Sequence, residues 1–185
     1  MNAVTLERQD KVSTRPARRE DAAAIAGIYN EGIEDRIATF ETEPRRRKEV
    51  LGWFDAGYTL VVVEAEGRVV AYAAAFPYRS RICYAGVREF SVYVARADRG
   101  NGFGRQALEA LIEAARGRGD WKLLSRVFPE NVASLRLLAS LGFRAIGTYK
   151  RHAKLDGVWR DVAIVEKLID EPEPASAGPK RGDGR

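Results

Sequence analysis

Three glycines within five residues, set between a strand and a helix, constrain this chain more than any other stretch. The run is Arg99-Gly100-Asn101-Gly102-Phe103-Gly104-Arg105. It follows Glu89-Phe90-Ser91-Val92-Tyr93-Val94, in which Phe90, Val92 and Val94 share one face and Glu89, Ser91 and Tyr93 the other. Behind it, Leu108, Leu111, Ile112 and Ala115 mark the apolar stripe of a helix. Glycines there leave backbone N–H groups unobstructed at the positive end of a helix, which suits a pyrophosphate, and Arg99 and Arg105 can add charge-assisted hydrogen bonds. The run lacks the Gly-Lys-Ser/Thr of a P-loop. It also lacks the acidic residue that a dinucleotide fingerprint places about twenty positions on, because that region reads Gly119-Asp120-Trp121 before its strand.

The remaining patterning predicts the order β α α β β β α β α β β. Lys11–Ala17 alternates weakly as a first strand, and Ile25, Ile28, Tyr29 and Ile33 form a helical stripe behind Glu20 and Asp21. Thr42-Glu43-Pro44 opens a second helix running to about Asp55 and stopping before Gly57. Thr59–Ala65 and Arg68–Pro77 are apolar runs joined by Glu66-Gly67, a hairpin signal, and 77–86 is a loop bearing arginines and tyrosines. Val87–Ala95 and Lys122–Phe128 read as strands, and Asn131–Leu141 as a helix ended by Gly142. Phe143–His152 and Trp159–Leu168 close the chain around Asp156-Gly157. This is an α/β (α+β) pattern: a mixed sheet with helices on its faces.

At 185 residues the chain suits a single domain at 12–170, with no room for a separate cofactor module. Residues 1–11 look loose. The segment 171–185 has three prolines, three glycines and no large apolar side chain, so it is expected to be disordered. Its three acidic and three basic residues cancel, so the net charge of +5 belongs to 1–170, a modest excess that fits an anionic ligand without demanding nucleic acid. The single cysteine, Cys83, excludes an intramolecular disulfide, and the single histidine, His152, excludes a multi-histidine metal centre, so no metal is expected. Neither a signal peptide nor a membrane span is evident, and the expected location is cytoplasmic.

Downstream of the glycine-rich turn stands Asn131-Val132-Ala133-Ser134-Leu135-Arg136-Leu137, leading to Leu141-Gly142-Phe143. Together, Arg-x-x-Gly-x-Gly and Asn-x-x-Ser with a closing Gly-Phe resemble the GNAT N-acetyltransferase superfamily. Ile28-Tyr29-Asn30, Phe40-Glu41-Thr42-Glu43-Pro44, Pro77-Tyr78-Arg79-Ser80-Arg81 with Tyr84, and Gly157-Val158-Trp159-Arg160-Asp161-Val162 narrow the likeness to its phosphinothricin N-acetyltransferase branch, which also covers methionine sulfoximine and arsinothricin.

The resemblance implies a mostly antiparallel sheet of about six or seven strands with about four helices. It also implies acetyl-CoA as co-substrate, a small anionic amino acid as acceptor, and a homodimer. Val92, Tyr93 and Val94 would pair with the pantetheine arm, the Val92 N–H polarising the thioester carbonyl. Arg99, Gly100, Asn101, Gly102, Phe103, Gly104 and Arg105 would cradle the phosphates, with Asn131 and Ser134 on the pantetheine side. Glu89 would take the proton of the substrate ammonium. Phe40, Thr42, Arg79, Arg81 and Tyr84 would form the acceptor site.

Where that branch carries a histidine to protonate the departing thiolate, this chain has Leu138. Water, Tyr149 or Tyr93 are left as proton sources. Other amines, protein N-termini, or acyl-CoA sensing without catalysis stay open as alternatives. Cys83 reads as a buried or half-buried thiol, His152 as a strand-end or surface residue, and Arg45-Arg46-Arg47-Lys48 as the solvated face of a helix whose Val50, Leu51, Trp53 and Phe54 turn inward. Trp159 reads as a core or dimer-interface aromatic.

Overall fold

Leu60 to Val63 and Val70 to Ala75 are continuous apolar runs, as strands covered on both faces require. In the computed structural model, which describes residues 12–169, these runs form the middle of a seven-stranded sheet. Its strands are β1 (Val12–Pro16), β2 (Thr59–Ala65), β3 (Arg68–Pro77), β4 (Val87–Val94), β5 (Lys122–Val127), β6 (Arg144–Leu155) and β7 (Val158–Leu168), and the helices are α1 (Ala22–Glu34), α2 (Arg47–Asp55), α3 (Phe103–Gly117) and α4 (Val132–Ser140). The spatial order is β1-β2-β3-β4-β5-β7-β6. Every neighbouring pair is antiparallel except β4 and β5. The expected mixed, mostly antiparallel sheet and the element order are thus present; the expectations for 1–11 and for the tail beyond 169 lie outside the described residues. No described helix is long and apolar enough to cross a membrane.

Alternation along the central strands splits the core in two. Val61, Val63, Ala71, Ala73, Phe90 and Leu123 face α3, meeting Leu108, Leu111 and Ala115. Leu60, Val62, Tyr72 and Ala74 face α1 and α2, meeting Ile25, Tyr29 and Val50. The hairpin between β2 and β3 turns on Glu66 and Gly67, and that between β6 and β7 on Asp156 and Gly157, all four with positive φ.

Two local expectations need correction. The second helix starts at Arg47, not at Thr42. Asn30 of α1 holds both backbone groups of Arg45, donating from Nδ2 to its carbonyl (3.0 Å) and accepting its N–H at Oδ1 (2.8 Å), so the preceding segment stays extended. Glu49 then caps the Arg46 N–H at 2.9 Å. Second, Cys83 is exposed, because it sits on the short 3₁₀ turn Ile82–Tyr84 at the surface of the 77–86 loop.

Candidate active site

The parallel pairing of β4 and β5 covers three positions, Val87↔Lys122, Arg88↔Leu123 and Glu89↔Leu124, after which the strands part. At the parting point the Ser125 hydroxyl donates to the Phe90 carbonyl (2.9 Å). The Ala95 N–H is bonded to Val70 of β3 at 2.8 Å, so by strand alternation the backbone groups of Phe90, Val92 and Val94 turn the other way, away from β3. A stretch of β4 therefore carries N–H and C=O groups along an open edge inside the sheet, at the residues Val92 and Val94 to which the family resemblance gives the pantetheine arm.

A cavity of about 630 Å³ opens on this gap. Glu89, Ser91, Val92 and Tyr93 of β4 line it, facing Arg126 and Val127 of β5 and Asn131, Ser134 and Leu138 at the helix beyond. The segment between α1 and α2 closes the other side, with Phe40 edge-on to Phe128 at 4.8 Å between ring centres. Tyr29, Trp53 and Arg45 form the far wall.

Tyr93 is packed between Tyr29 and Tyr72, with ring centres at 5.0 and 5.6 Å, and its hydroxyl donates to Ala38 O at 3.4 Å. Burial, reinforced by Tyr29, pushes the Tyr93 phenol well above its ordinary range, which makes it a poor proton donor. Tyr149 is exposed on β6 and outside the cavity wall. Leu138, buried, occupies the wall where a donor would be needed.

The glycine-rich turn follows directly. Gly100 and Gly102 adopt φ of 84° and 81°, with open space where a Cβ would stand, so backbone conformation alone requires glycine there. Gly102 is the residue before α3. Gly104 serves packing: a Cβ would stand 3.2 Å from Leu137 and 3.4 Å from Val94. Asn101 donates to Asp98 O (3.0 Å), and Arg68 fixes Asp98 through two bonds of 2.7 Å, holding that carboxyl below its usual range. Arg99 bonds the Val94 carbonyl at 3.3 Å and pairs with Asp35 at 2.7 Å; Arg105 reaches Glu109 and Ser140. Asn131 is occupied structurally, its Oδ1 capping Ser134 N–H (3.1 Å) and its Nδ2 reaching Ile37 O (3.3 Å).

Not every residue indicated by the sequence meets at the cavity. Glu89, Val92, Tyr93, Asn131, Ser134 and Phe40 do; Thr42, Arg79, Arg81 and Tyr84 are not in its wall. The 77–86 loop folds on itself, Tyr78 edge-on to Tyr84, with the guanidinium of Arg79 over Tyr78 and that of Arg81 over Tyr84, both arginines exposed.

The cations in the wall are instead Arg45 and Arg126. Arg45 lies 5.2 Å from the Tyr29 ring centre and 5.8 Å from that of Trp53, so it belongs to the cavity and not to a solvated helix face. Its neighbours Arg46, Arg47 and Lys48 are exposed as expected. His152 is exposed on β6 as expected, and it also borders the cavity, where a bulge between Tyr149 and Ala153, with Arg151 at φ 48°, interrupts the ladder. Arg126 had one sequence signal, a lone charge inside the apolar run Leu123 to Phe128.

A family model described as the acetyltransferase (GNAT) family matches residues 25–143. The L-amino acid N-acyltransferase MnaT of Escherichia coli is 34% identical over 172 residues, covering 90% of this chain and all of that protein. The phosphinothricin N-acetyltransferase of Streptomyces coelicolor is 33% identical over 166 residues, 86% of this chain and 97% of that one. The structure of yncA from Salmonella typhimurium, solved with its cofactor acetyl-CoA, superposes with a TM-score of 0.83 at 32% identity, covering 90% of this chain and 99% of that one. With the open strand edge, the glycine turn and the motif pair on one framework, the chain belongs to the GNAT family of acetyltransferases.

Proposed function

We propose that this acetyltransferase moves an acetyl group from acetyl-CoA to the α-amino group of a small anionic amino acid of the phosphinothricin, arsinothricin or methionine sulfoximine type, by direct transfer with both substrates bound. The observation that carries the reading is a carboxylate, Glu89, inside the same cavity as the open backbone edge at Val92. The relatives, named for amino-acid acylation, support the choice of acceptor class. Acetyl-CoA, when bound, supplies the acyl thioester. The N–H groups at Val92 and Val94 offer the strand-like partners that a pantetheine amide needs, and the turn from Arg99 to Arg105 offers N–H groups and charge to the phosphates.

Glu89 accepts a proton from the acceptor ammonium, freeing the nitrogen lone pair. That pair forms the new N–C bond as the C–S bond breaks and its electrons leave on sulfur. The Val92 N–H stabilises the negative charge developing on the carbonyl oxygen. Leu138 has no proton to give, so the second proton, which the acylated nitrogen loses as it becomes the amide, passes through water to the thiolate. We place the enzyme in the cytoplasm as a homodimer joined through exposed Ile146, Tyr149, Val158 and Trp159 of β6 and β7; light scattering at micromolar concentration tests the latter.

The test of function is a thiol-release assay with acetyl-CoA and a panel of phosphinothricin, arsinothricin, methionine sulfoximine and an unrelated peptide. Release with at least one of the amino acids is expected. Release with the peptide alone, or with none, overturns the reading.

A further inference from the structure

The base of the proposed reaction is not free in the cavity. Arg126 Nη1 donates a hydrogen bond to Glu89 Oε1, forming an ion pair whose side chains are 32% and 19% exposed. Arg126 reaches it from β5, two residues beyond the last β4–β5 pair, Glu89↔Leu124. The cavity thus presents one anion and one cation side by side, next to the strand edge where transfer would occur.

An α-amino acid carries the complementary pair, an ammonium and a carboxylate on the same carbon. Binding it exchanges one internal ion pair for two intermolecular ones, with no net charge left buried. A guanidinium fork matches a carboxylate through two parallel N–H bonds, and Arg126 has further N–H donors beyond the one given to Glu89. The cations on the 77–86 loop are outside this wall, which leaves Arg126 as the cation beside the base.

We propose that Arg126 receives the α-carboxylate of the acceptor while Glu89 receives its α-ammonium, so that drawing Arg126 onto the substrate releases Glu89 to act as base. The inference rests on the amino-acid reading above and adds what selects the acceptor. A primary amine without a carboxylate must compete with Arg126 for Glu89 and leaves the guanidinium unpaired. Both effects reject it.

The experiment compares kcat/KM for L-methionine sulfone and for 3-(methylsulfonyl)propylamine, the same molecule without its carboxylate. The unaltered enzyme, Arg126→Gln and Arg126→Lys are each measured, with KM for acetyl-CoA as the check that the fold persists. The unaltered enzyme is expected to prefer the acid. Arg126→Gln lowers kcat/KM for the acid by roughly 10–100-fold, the range for one charge-assisted contact, and brings the acid-to-amine ratio toward unity. Arg126→Lys retains part of the ratio, since it keeps the charge and loses the fork. If Arg126→Gln slows both acceptors by the same factor, Arg126 merely holds Glu89 and the proposal is overturned. If the unaltered enzyme acetylates neither the sulfone nor any amino acid of the panel, the functional reading falls first. An acid turned over with the ratio unchanged in the variant sinks only the assignment of Arg126.

Discussion

At the scale of single residues, charge and backbone conformation set what each position must be. Replacing Glu89 by Gln removes the proton acceptor while keeping a hydrogen-bonding shape. The rate at neutral pH is expected to drop by roughly 10²–10⁴-fold, the usual worth of a positioned base. The deficit narrows at alkaline pH, where the amine is already free, and a pH–rate profile checks this; a deficit of constant size at every pH would remove Glu89 from proton transfer. At Gly102 the cost lies in the backbone, because φ is 81° and nothing stands in the way of a methyl group. Gly102→Ala should destabilise the turn by about 1–2 kcal/mol. Since the role proposed for the turn is to hold the phosphates of acetyl-CoA, KM for acetyl-CoA should rise by roughly tenfold with the acceptor KM unchanged. Steady-state kinetics on both substrates separates the two.

Individual residues were legible to different degrees. The glycines stood out because a left-handed turn leaves a mark in sequence, and Glu89 was indicated through the family resemblance. Arg45 and Arg126 did not, because what turns them inward is remote in the chain: Asn30 grips the Arg45 backbone across fifteen residues, and Glu89 draws Arg126 from a neighbouring strand. The 77–86 loop was legible as a run of arginines and tyrosines. The resemblance assigned Arg79, Arg81 and Tyr84 to the acceptor site; in the structure the guanidinium of Arg79 lies over Tyr78 and that of Arg81 over Tyr84, outside the cavity wall.

At the scale of elements, periodicity revealed strands and helices well, and it failed where one element is held by another. The start of α2 is the example, since Thr42-Glu43-Pro44 carries a good helix-start pattern and is overruled by α1 through Asn30. The close approach of α1 to β4 could not be read from either segment alone. A Cβ on Gly32 would stand 2.6 Å from Cε1 of Tyr93, and that ring cannot swing aside because Tyr29 and Tyr72 flank it. Gly32→Ala is therefore expected to cost about 1–3 kcal/mol through overpacking and to lower kcat by shifting the β4 edge. Denaturant unfolding measures the first effect. Adding Tyr93→Phe should give no relief, since the clash is with ring carbons and not with the hydroxyl.

At the scale of the whole molecule, buried and half-buried carboxylates tie the periphery together. Arg15 bonds both Asp21 and Glu64, stitching β1, the start of α1 and β2. Lys122 and Arg144 converge on Glu166, joining three strands. Asp21 is held below the ordinary carboxylate range by its bond to Arg15, and Glu166 by its bond to Lys122 with help from Arg144, both against the opposing effect of burial. A carboxyl depressed on folding contributes stability that is fully present above its unfolded pKa and lost as pH falls through the folded one. The protein should therefore be insensitive to pH between neutrality and about 5, then lose stability steeply below about 4. Thermal melts at stepped pH check this, and Asp21→Asn should flatten the acid limb while lowering stability at neutral pH.

The open edge at Val92 and Val94 has a bearing on the life of the protein as well as on its chemistry. Most sheets leave their unpaired groups at the rim; this one leaves them in the middle, where the seven strands are one strand short of continuous pairing. A bound acyl thioester with its amide-bearing arm would stand in for that strand, so occupancy and folding form a single equilibrium. Each tenfold rise in free acetyl-CoA above its dissociation constant should add about 1.4 kcal/mol to the free energy of unfolding, seen as a melting temperature that climbs with the logarithm of concentration. Starvation for acetyl units would then shorten the survival of the enzyme that spends them.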